Sequence, residues 1–510
     1  MFESAEIGHK IDKATYDEQV PVLREALLDA QYDLISARAF PVIILVGGVD
    51  GAGRSESVGL LNQWLDPRHV ETHGMGDPSD EERDRPIMWR FWRALPPKGK
   101  TAVFQGSWYS LPLLDRVYGR CKTSALDNAI ARNVRFERML VDEGALVIKF
   151  WFHLSKDRQE KRLKTLQKDS HTRWRVTERD WEHFARYDKF FRISSHVLRL
   201  SSTAQAPWYI IEGEDERFRS LTFGRILLES IRKRLAQQAA PVHSLPVAPL
   251  PPAVDNLHLL KALRLSVSLD KAHYQAQLEA LQGRLNLLTR HARFGEISVV
   301  CVFEGNDAAG KGGSIRRIAG ALDARRYQII PIAAPTDEEK AQPYLWRFWR
   351  HIPRRGRLAL FDRSWYGRVL VERVEGYCAE YDWMRAYSEI NDFETQLAEH
   401  QVVLVKFWLA ISQEEQLKRF QERENTGFKR YKITPDDWRN REKWPQYEQA
   451  VCDMVDRTST EISPWTLVPA NDKNYARIKI LQTLCDRIEA GLKGLKEVKD
   501  VKGSKSQGKA

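Results

Sequence analysis

The sequence is poor in cysteine and has no long apolar run. Its five cysteines are scattered, odd in number and never spaced as Cys-x-x-Cys, so the pattern predicts neither a disulfide framework nor a zinc site. No segment approaches the roughly 20 apolar residues that a membrane span requires. The first residues, MFESAEIGHK, lack the basic and apolar regions of a secretory signal. We therefore expect a cytoplasmic protein without a membrane partner.

Acidic residues are outnumbered by basic ones. The 510 residues contain 69 Asp and Glu against 80 Lys and Arg, a formal net charge of +11. A positive field attracts polyanions such as nucleic acid, anionic lipid or a phosphate chain, although a solvated basic surface is the alternative. The Lys-rich residues 493–510 contribute part of this charge, and their low complexity predicts a disordered tail.

The chain contains an internal duplication. Residues 43–117 align with 300–374 without a gap, at an offset of 257 that also relates Trp181 to Trp438. A period of this length belongs to whole domains rather than to solenoid repeats. Between the copies, residues 239–253 (AAPVHSLPVAPLPPA) are rich in Pro and Ala and predict a semi-rigid linker. The predicted domains are therefore 1–238 and 254–492.

Each copy shows the same order of predicted elements. A helical stretch, at 12–38 and at 257–293, precedes an apolar strand, at 42–46 and at 297–303, and a glycine-rich loop and a helix follow. Strands that alternate with helices indicate a parallel sheet with helices on both faces. The predicted fold class is therefore α/β, with two tandem domains, each a parallel sheet flanked by helices.

The loop GNDAAGKGG (305–313) follows a strand and precedes a helix, which is the context of a P-loop. Such a loop turns backbone N–H groups and a helix N-terminus toward phosphate oxygens. Lys311 is expected to reach the transferring phosphoryl group. The usual Ser or Thr that binds Mg²⁺ is replaced, so Asp307 is expected to supply the metal ligand; the alternative is a glycine turn that caps a structural helix. The predicted phosphate-binding glycines are Gly305, Gly310 and Gly312.

A second motif, FDRSWYGR (361–368), follows an apolar strand. Asp362 ends that strand, so it is expected beside the P-loop, at the edge where open α/β sheets bind ligands, as a second metal carboxylate. Arg363 is predicted to be catalytic with Asp362, Asp307 and Lys311, because guanidinium groups clamp phosphates. The alternative is an exposed loop with a surface salt bridge. Two further arginines, Arg316 and Arg368, are predicted to bind phosphate.

A basic segment, FKRYK (428–432), precedes a probable helix start. Such segments form lids that close over phosphates and exclude water, and a solvated run of charges is the alternative. The residues predicted to bind polyphosphate here are Lys429, Arg430 and Lys432. Lys406, at a strand end, is able to touch phosphate by position, but its retention as Lys149 in the first copy favours a structural role.

The two copies differ chiefly in charge. Asp307 survives in the first copy as Asp50. Phosphoryl transfer depends on positioning and charge neutralisation, so we expect the chemistry in the second copy and a scaffold or polyanion-docking surface in the first. Lys311 becomes Arg54, which keeps the positive charge, and four charges are lost: Asp362 (Gln105), Arg363 (Gly106), Arg368 (Leu111) and Arg316 (Gly59).

With these motifs, the second copy resembles the polyphosphate kinase 2 family, whose P-loop Asp and Lys fall on Asp307 and Lys311 and whose Walker-B Asp and Arg fall on Asp362 and Arg363. The two-copy form resembles the tandem-domain subclass. This resemblance implies polyphosphate:AMP phosphotransferase activity in the second copy, with Mg²⁺ as cofactor and AMP, ADP and inorganic polyphosphate as partners. Many single-domain relatives have Asn at the position of Gly367. The matching stretches are GNDAAGKGG, APTDEE (334–339), FDRSWYGR, VLVERVEG (369–376), KFWL (406–409), NDKNYARIKI (471–480), YLWRFWRH (344–351) and EINDFE (389–394).

Three other functions stay open at this point. The scaffold also suits an ATP-dependent small-molecule kinase, a polyphosphate-dependent enzyme with ADP or GDP as acceptor, or a non-catalytic polyanion-binding protein. Retained carboxylates argue against mere docking, because they repel phosphate unless a metal bridges them. We expect no specific nucleic-acid partner, and the sequence leaves homo-oligomerisation open.

Overall fold

The computed structural model describes residues 1–239, 259–427 and 430–503, with side chains described as far as 237 and 495 at the ends of the first and last ranges. The chain divides into two compact units. Unit 1 comprises Met1–Pro78, Arg90–Ser244 and Pro335–Trp346, and unit 2 comprises Ser79–Trp89, Leu245–Ala334 and Arg347–Ala510. Apart from its first residue, the predicted linker 239–253 lies outside the described residues.

Two short segments group differently from the predicted domains, which placed 79–89 in the first and 335–346 in the second. Within unit 1, the Lys98 backbone N donates to the Ala341 carbonyl at 2.9 Å. Within unit 2, the Arg354 Nε donates to the Asp84 carboxylate at 2.8 Å. The sequence prediction missed this grouping because both copies carry an equivalent segment at this point.

Each unit contains one five-stranded parallel sheet, as predicted. The strand order is β2-β3-β1-β4-β5 in unit 1 and β10-β9-β6-β8-β7 in unit 2, and each described strand pair is parallel. Equivalent strands therefore occupy equivalent places in the two sheets. The strands are β1 Val42–Gly48, β2 Val70–Gly74, β3 Thr101–Gln105, β4 Leu146–His153, β5 Trp208–Glu212, β6 Ser298–Gly305, β7 Tyr327–Pro331, β8 Leu358–Asp362, β9 Val402–Ala410 and β10 Trp465–Pro469.

Helices flank both sheets. The described helices of the first copy are α1 Lys13–Ala37, α2 Arg54–Trp64, α3 Asp80–Arg83, α4 Trp89–Arg93, α5 Ser110–Val117, α6 Thr123–Asp142, α7 Lys156–Lys168, α8 Glu178–Phe184, α9 Tyr187–Ser201 and α10 Glu216–Ala239. Those of the second copy are α11 Lys271–Arg290, α12 Lys311–Ala319, α13 Asp337–Lys340, α14 Trp346–Trp349, α15 Val371–Glu375, α16 Glu380–Glu399, α17 Gln413–Glu424, α18 Pro435–Glu442, α19 Trp444–Thr458 and α20 Lys473–Gly503.

The central strands of both sheets are buried on both faces, as their near-continuous apolar sequences predict. The β1 residues Val42 and Ile44 are fully buried in unit 1, and the β6 residues Val299 and Cys301 are fully buried in unit 2. Burial of such side chains stabilises the fold by about 1.5–3 kcal/mol each. The rigid sheets fix the positions of the loops at their carboxyl ends.

Two predicted boundaries differ from the structure. The helical stretch predicted over 257–293 is a helix only from Lys271, where the Asp270 carboxylate accepts hydrogen bonds from two backbone N–H groups at 3.0 Å and caps it. The tail predicted as disordered from 493 begins inside α20, which continues to Gly503. Leu492 and Leu495 are buried, so α20 packs an apolar face as far as Leu495. Residues 504–510 lie outside the described part of the chain.

Across the described ranges, we find no helix with the length and apolar character needed to cross a membrane.

Candidate active site

The glycine loop of unit 2 joins the end of β6 to the start of α12. Gly305 and Gly310 have φ angles of 146° and 109°, which side-chain-bearing residues rarely adopt. A Cβ on Gly305 would lie 2.4 Å from the Leu409 carbonyl oxygen, so glycine is required there. Gly310 caps α12 in the left-handed conformation. The loop therefore has the strand–turn–helix geometry that directs backbone N–H groups toward an anion.

Two carboxylates meet the loop. Asp307 lies within it, and its Oδ1 accepts a hydrogen bond from the Arg363 Nη2 at 3.0 Å. Asp362 ends β8 in register with Phe303 of β6. Its Oδ2 lies 3.7 Å from the place that a Cβ on Gly312 would occupy. Asp362 thus faces the position where P-loops usually carry their Mg²⁺-binding hydroxyl.

The Asp362 carboxylate is also free to take a ligand. Among the residues that the structure describes, neither of its side-chain oxygens accepts a hydrogen bond, although the group is only partly exposed. Because Mg²⁺ is commonly held by one or two carboxylates together with phosphate oxygens and water, Asp307 and Asp362 suit that metal. In the described ranges no cluster of three His, Cys, Asp or Glu side chains suits a metal, so a cage made by the protein alone is not offered there.

Lys311 begins α12 and folds back over the loop. Its Nζ donates to the Gly305 carbonyl at 2.7 Å and to the Asn306 carbonyl at 3.3 Å. Burial lowers the pKa of Lys311 and the neighbouring Arg363 lowers it further, while the Asp307 and Asp362 carboxylates act in the opposite direction. The amine therefore lies among the other three predicted catalytic groups.

Arg363 carries backbone strain. Its φ angle is 65°, in the left-handed region that glycine favours. Its side chain is 46% exposed and pairs with Asp307. Its counterpart in unit 1 is Gly106, which keeps a φ of 87°. Strained residues of this kind concentrate at functional sites. Here the strained residue lies in the second copy, which is also the copy that retains the catalytic charges.

Four other residues predicted to bind phosphate lie in the described part of the chain. Arg368 pairs with Glu372 at 3.1 Å, and Arg316 is exposed on α12. Arg430 and Lys432 are exposed on the short 3-10 helix Arg430–Lys432. Lys429 lies outside the described residues. The structure thus brings together Asp307, Lys311, Asp362 and Arg363 with Gly305, Gly310 and Gly312.

Glu304 is a site residue that the sequence prediction missed. It is the last but one residue of β6, is 6% exposed, and its Oε1 accepts a hydrogen bond from the Ser364 Oγ at 2.8 Å. Burial raises the pKa of Glu304. The signal was a single carboxylate at the end of an otherwise apolar strand, whose counterpart in the first copy is Gly47. The bond between Glu304 and Ser364 joins the two catalytic motifs.

Arg419 is a second missed residue, and it braces the glycine loop. Its Nη1 donates to the carbonyls of Ala308 and Ala309 at 3.0 and 3.2 Å, and its Nη2 donates to the Ala470 carbonyl at 2.7 Å. These bonds satisfy two carbonyls of the loop and tie the loop to the residue that follows β10. Arg419 comes from α17, far from the loop in sequence, so no local pattern indicated it.

Lys406 is structural, as its retention in both copies suggested. It is fully buried, and its Nζ donates to the Glu394 Oε2 and to the Thr458 carbonyl, each at 2.7 Å. In unit 1, Lys149 makes the same contacts with Glu137, at 2.6 Å, and with the Ser201 carbonyl, at 2.7 Å. We call each of these groups a buried lysine node.

The equivalent loop of unit 1 has lost this arrangement. Asp50 pairs with Arg54 and with the His183 Nδ1, the latter at 2.7 Å. Gln105 replaces the second carboxylate, and its Nε2 donates to the Ser55 Oγ at 2.8 Å. Ser55 stands at the position of Gly312, so the hydroxyl is present where the carboxylate is absent. In unit 1 Asp50 therefore lacks the second carboxylate beside it, and its two oxygens already contact Arg54 and His183.

Comparison with known proteins follows this duplication. A family model described as polyphosphate kinase 2 matches residues 10–239 and again residues 268–496. The chain is 59% identical to the polyphosphate:AMP phosphotransferase of Pseudomonas aeruginosa, over 97% of this chain and 99% of that one. It is 56% identical to the enzyme of the same name from Pseudomonas syringae pv. tomato, over 96% and 98%.

A solved structure agrees. The crystal structure of a Pseudomonas aeruginosa protein described as polyphosphate kinase 2 matches with a TM-score of 0.88 at 57% identity. It covers 97% of this chain and 99% of that chain. The similarity therefore extends over both copies in sequence and in fold.

Proposed function

Because the chain belongs to the polyphosphate kinase 2 family, we propose that its second copy transfers the terminal phosphoryl group of inorganic polyphosphate to AMP, which gives ADP. Two relatives that match almost the whole chain are named for this reaction. The observation that carries the assignment to one copy is the cluster of Asp307, Lys311, Asp362 and Arg363 in unit 2. In unit 1 the last two are Gln105 and Gly106.

The reaction needs charge neutralisation more than proton transfer. Both substrates are polyanions, and the attacking oxygen belongs to a phosphate that is already ionised at neutral pH. The loop N–H groups and Lys311 bind and orient the transferring group, and Arg363 adds positive charge beside Asp307. We therefore expect no pH dependence set by a catalytic histidine.

Asp307 and Asp362 would hold Mg²⁺, which when bound would neutralise phosphate charge and orient the oxygens. The support is the carboxylate of Asp362, which accepts no hydrogen bond from any described residue and faces the vacated hydroxyl position at Gly312. Removal of the divalent cation with EDTA should stop the reaction, and added Mg²⁺ should restore it.

The basic segment is the proposed lid. Arg430 and Lys432 are exposed, and Tyr431 between them is 77% exposed. Such side chains are available to meet a phosphate chain and to exclude water from the site. Because each contact replaces a counterion, polyphosphate binding should weaken as salt increases. We also propose a cytoplasmic enzyme, because all five cysteines are free thiols, which suits a reducing compartment.

The test uses the full chain with polyphosphate, Mg²⁺ and, in separate reactions, AMP, ADP, GDP or glucose, with nucleotide chromatography as the readout. We expect ADP to be the first product from AMP. If ADP or GDP is phosphorylated and AMP is not, the proposed acceptor is wrong and a nucleoside diphosphate takes its place. Tight polyphosphate binding without phosphorylation of any acceptor would favour a non-catalytic polyanion-binding protein. The matched control is Asp362→Gln, which installs the unit 1 residue.

A further inference from the structure

Asp307 is held from two sides. Arg363 contacts its Oδ1, and the Nδ2 of Asn440 donates to its Oδ2 at 2.8 Å. Asn440 lies on α18, the helix that directly follows the proposed lid. The Asp307 carboxylate is thus tied to α18.

The Asn440 amide is oriented by a second contact. The Tyr447 hydroxyl lies 3.1 Å from the Asn440 Oδ1 and donates to it. Since an amide carries donors at one end and an acceptor at the other, this bond directs the NH₂ group toward Asp307. The opposite orientation would place the amide oxygen against a carboxylate. Burial raises the pKa of Tyr447, so the hydroxyl remains a donor at neutral pH.

The contacts continue to a buried anion. The Tyr447 hydroxyl also lies 3.4 Å from the Glu375 Oε1. The Glu375 side chain is 3% exposed and is paired with Lys443 at 2.8 Å and with Arg439 at 3.0 Å. The single O–H of Tyr447 thus faces two acceptors, the Asn440 Oδ1 at the shorter distance and the Glu375 Oε1 at the longer one, and the two contacts together hold the phenol in place.

The first copy retains only the contact nearest the loop. His183 stands at the position of Asn440 and bonds Asp50 at 2.7 Å. Beyond it the network is gone, because Tyr447 corresponds to Phe190 and Glu375 to Tyr118. The contact itself therefore belongs to the shared fold, whereas its orientation by Tyr447 and Glu375 belongs to the copy that retains the catalytic charges.

We propose that Asn440 is a positioning residue for phosphoryl transfer, which fixes the Asp307 carboxylate through its amide while Tyr447 and Glu375 fix the amide. This inference rests on the proposed function. Groups that orient a metal ligand from behind typically contribute 10–100-fold, roughly, to metal affinity or activity.

The experiment compares Asn440→Leu, Asn440→His and Tyr447→Phe in the full chain. Asn440→Leu should lower kcat by about 10–100-fold with little change in the KM for AMP, and should weaken Mn²⁺ binding, measured by electron paramagnetic resonance, by a similar factor. Asn440→His should recover most of both quantities, because imidazole supplies an N–H as His183 does. The kcat and the Mn²⁺ affinity of Tyr447→Phe should lie between those of Asn440→Leu and Asn440→His.

The matched control is Asn391→Leu. The Asn391 side-chain amide also donates one hydrogen bond, at 2.9 Å, but to the Arg457 carbonyl. Loss of this hydrogen bond should lower the thermal midpoint without changing kcat or Mn²⁺ affinity. Wild-type kcat and Mn²⁺ affinity in Asn440→Leu would overturn the proposal. Equal losses in the Leu and His variants, with a lowered thermal midpoint, would show a structural role only. If the wild-type chain fails to phosphorylate AMP, the proposed function falls, and the Mn²⁺ affinities still decide the role of Asn440.

Discussion

The two glycine loops of this chain have similar backbones and different surroundings. Gly48 and Gly53 in unit 1, and Gly305 and Gly310 in unit 2, all have positive φ angles. In unit 2 a Cβ on Gly310 would meet nothing within 4 Å, whereas in unit 1 a Cβ on Gly53 would lie 2.2 Å from the Arg219 guanidinium carbon. The loop of unit 1 thus has a similar backbone shape, but charged residues of its site are replaced and the Arg219 side chain fills the space beside Gly53.

The arginines that brace the loops come from different helices. Arg419 of α17 caps the loop carbonyls in unit 2. Its counterpart in unit 1, Arg162, pairs instead with Glu56, and Arg219 of α10 donates to the Gly213 carbonyl at 3.0 Å. A buried guanidinium therefore lies beside the loop in each copy, but only that of Arg419 donates to the loop carbonyls.

The largest effect should come from Asp362→Gln, which gives the active loop the residue of the inactive one. We expect kcat to fall by on the order of 10³-fold or more, because Gln supplies no charge to a metal. The fold should tolerate the change, since Gln105 occupies this place in unit 1. The measurement is AMP phosphorylation together with a thermal midpoint. Near wild-type turnover would remove Asp362 from the metal site.

Lys311→Arg should have the next largest effect. Arg54 stands at this position in unit 1, where it pairs with Asp50 rather than folding over the loop. A planar guanidinium does not reproduce a compact ammonium at a phosphate-binding position, so we expect a loss on the order of 10²–10³-fold in kcat. Lys311→Ala is the control for charge. An arginine variant as active as the wild type would show that positive charge alone suffices there.

Arg363→Gly separates function from stability. The variant loses the contact with Asp307, and kcat should fall by about 10–100-fold, as for other groups that orient a metal ligand. Relief of the left-handed strain offsets the greater flexibility of glycine in the unfolded chain, so the free energy of unfolding should change by less than about 1 kcal/mol. Urea unfolding provides this value. A loss of several kcal/mol would mean that Arg363 has a structural role that Gly106 does not have.

The smallest expected effect is a pH dependence set by Glu304. Its pKa is raised by burial above the value of about 4.3 in an unfolded chain. Between these two values the native carboxyl keeps a proton that the unfolded chain has lost. Its contribution to stability is therefore fully present below about pH 4.3 and is lost as pH rises through the raised pKa.

Glu304→Gln should remove this dependence. The difference in the free energy of unfolding between the wild type and this variant, measured by urea unfolding from pH 4 to pH 8, should become less favourable to the wild type as pH rises. Glu461→Gln, at an exposed glutamate, is the control. A difference that stays constant across the range would contradict the raised pKa.

The sequence predicted those parts of the site that depend on short-range pattern. Asp362 was identifiable because it ends an apolar strand beside a glycine loop, and strand order then brings it to Gly312. Asn440 could not be identified, because its contact with Asp307 joins residues 133 positions apart. No periodic pattern distinguishes one amide side chain from the other polar residues of its helix. Arg368 stays a prediction as a phosphate-binding residue, and the motif gave no sign of its ion pair with Glu372, four residues further along the chain.

The domain limits also show that local sequence pattern predicts secondary structure but does not predict contacts between distant segments. The pattern of strands and helices was correct in both copies, and helix α1 agrees with the predicted stretch to within a residue at each end. The grouping of 79–89 and 335–346 could not be predicted, because each segment has a close equivalent that would suit the same neighbours. Sequence similarity between the copies hides which of two equivalent partners a segment contacts.

The buried lysine nodes have a consequence for protein engineering. Each node places an ammonium and a carboxylate in the protein interior beneath the motif after β3 or β8, at a desolvation cost that only complete pairing offsets. Because the node of unit 1 is intact, the foundation on which an active motif rests is already present there. Transplanting the residues at 311, 362, 363 and 440 into the first copy would therefore leave this buried lysine node unchanged, whereas the Arg219 side chain beside Gly53 would have to be replaced as well.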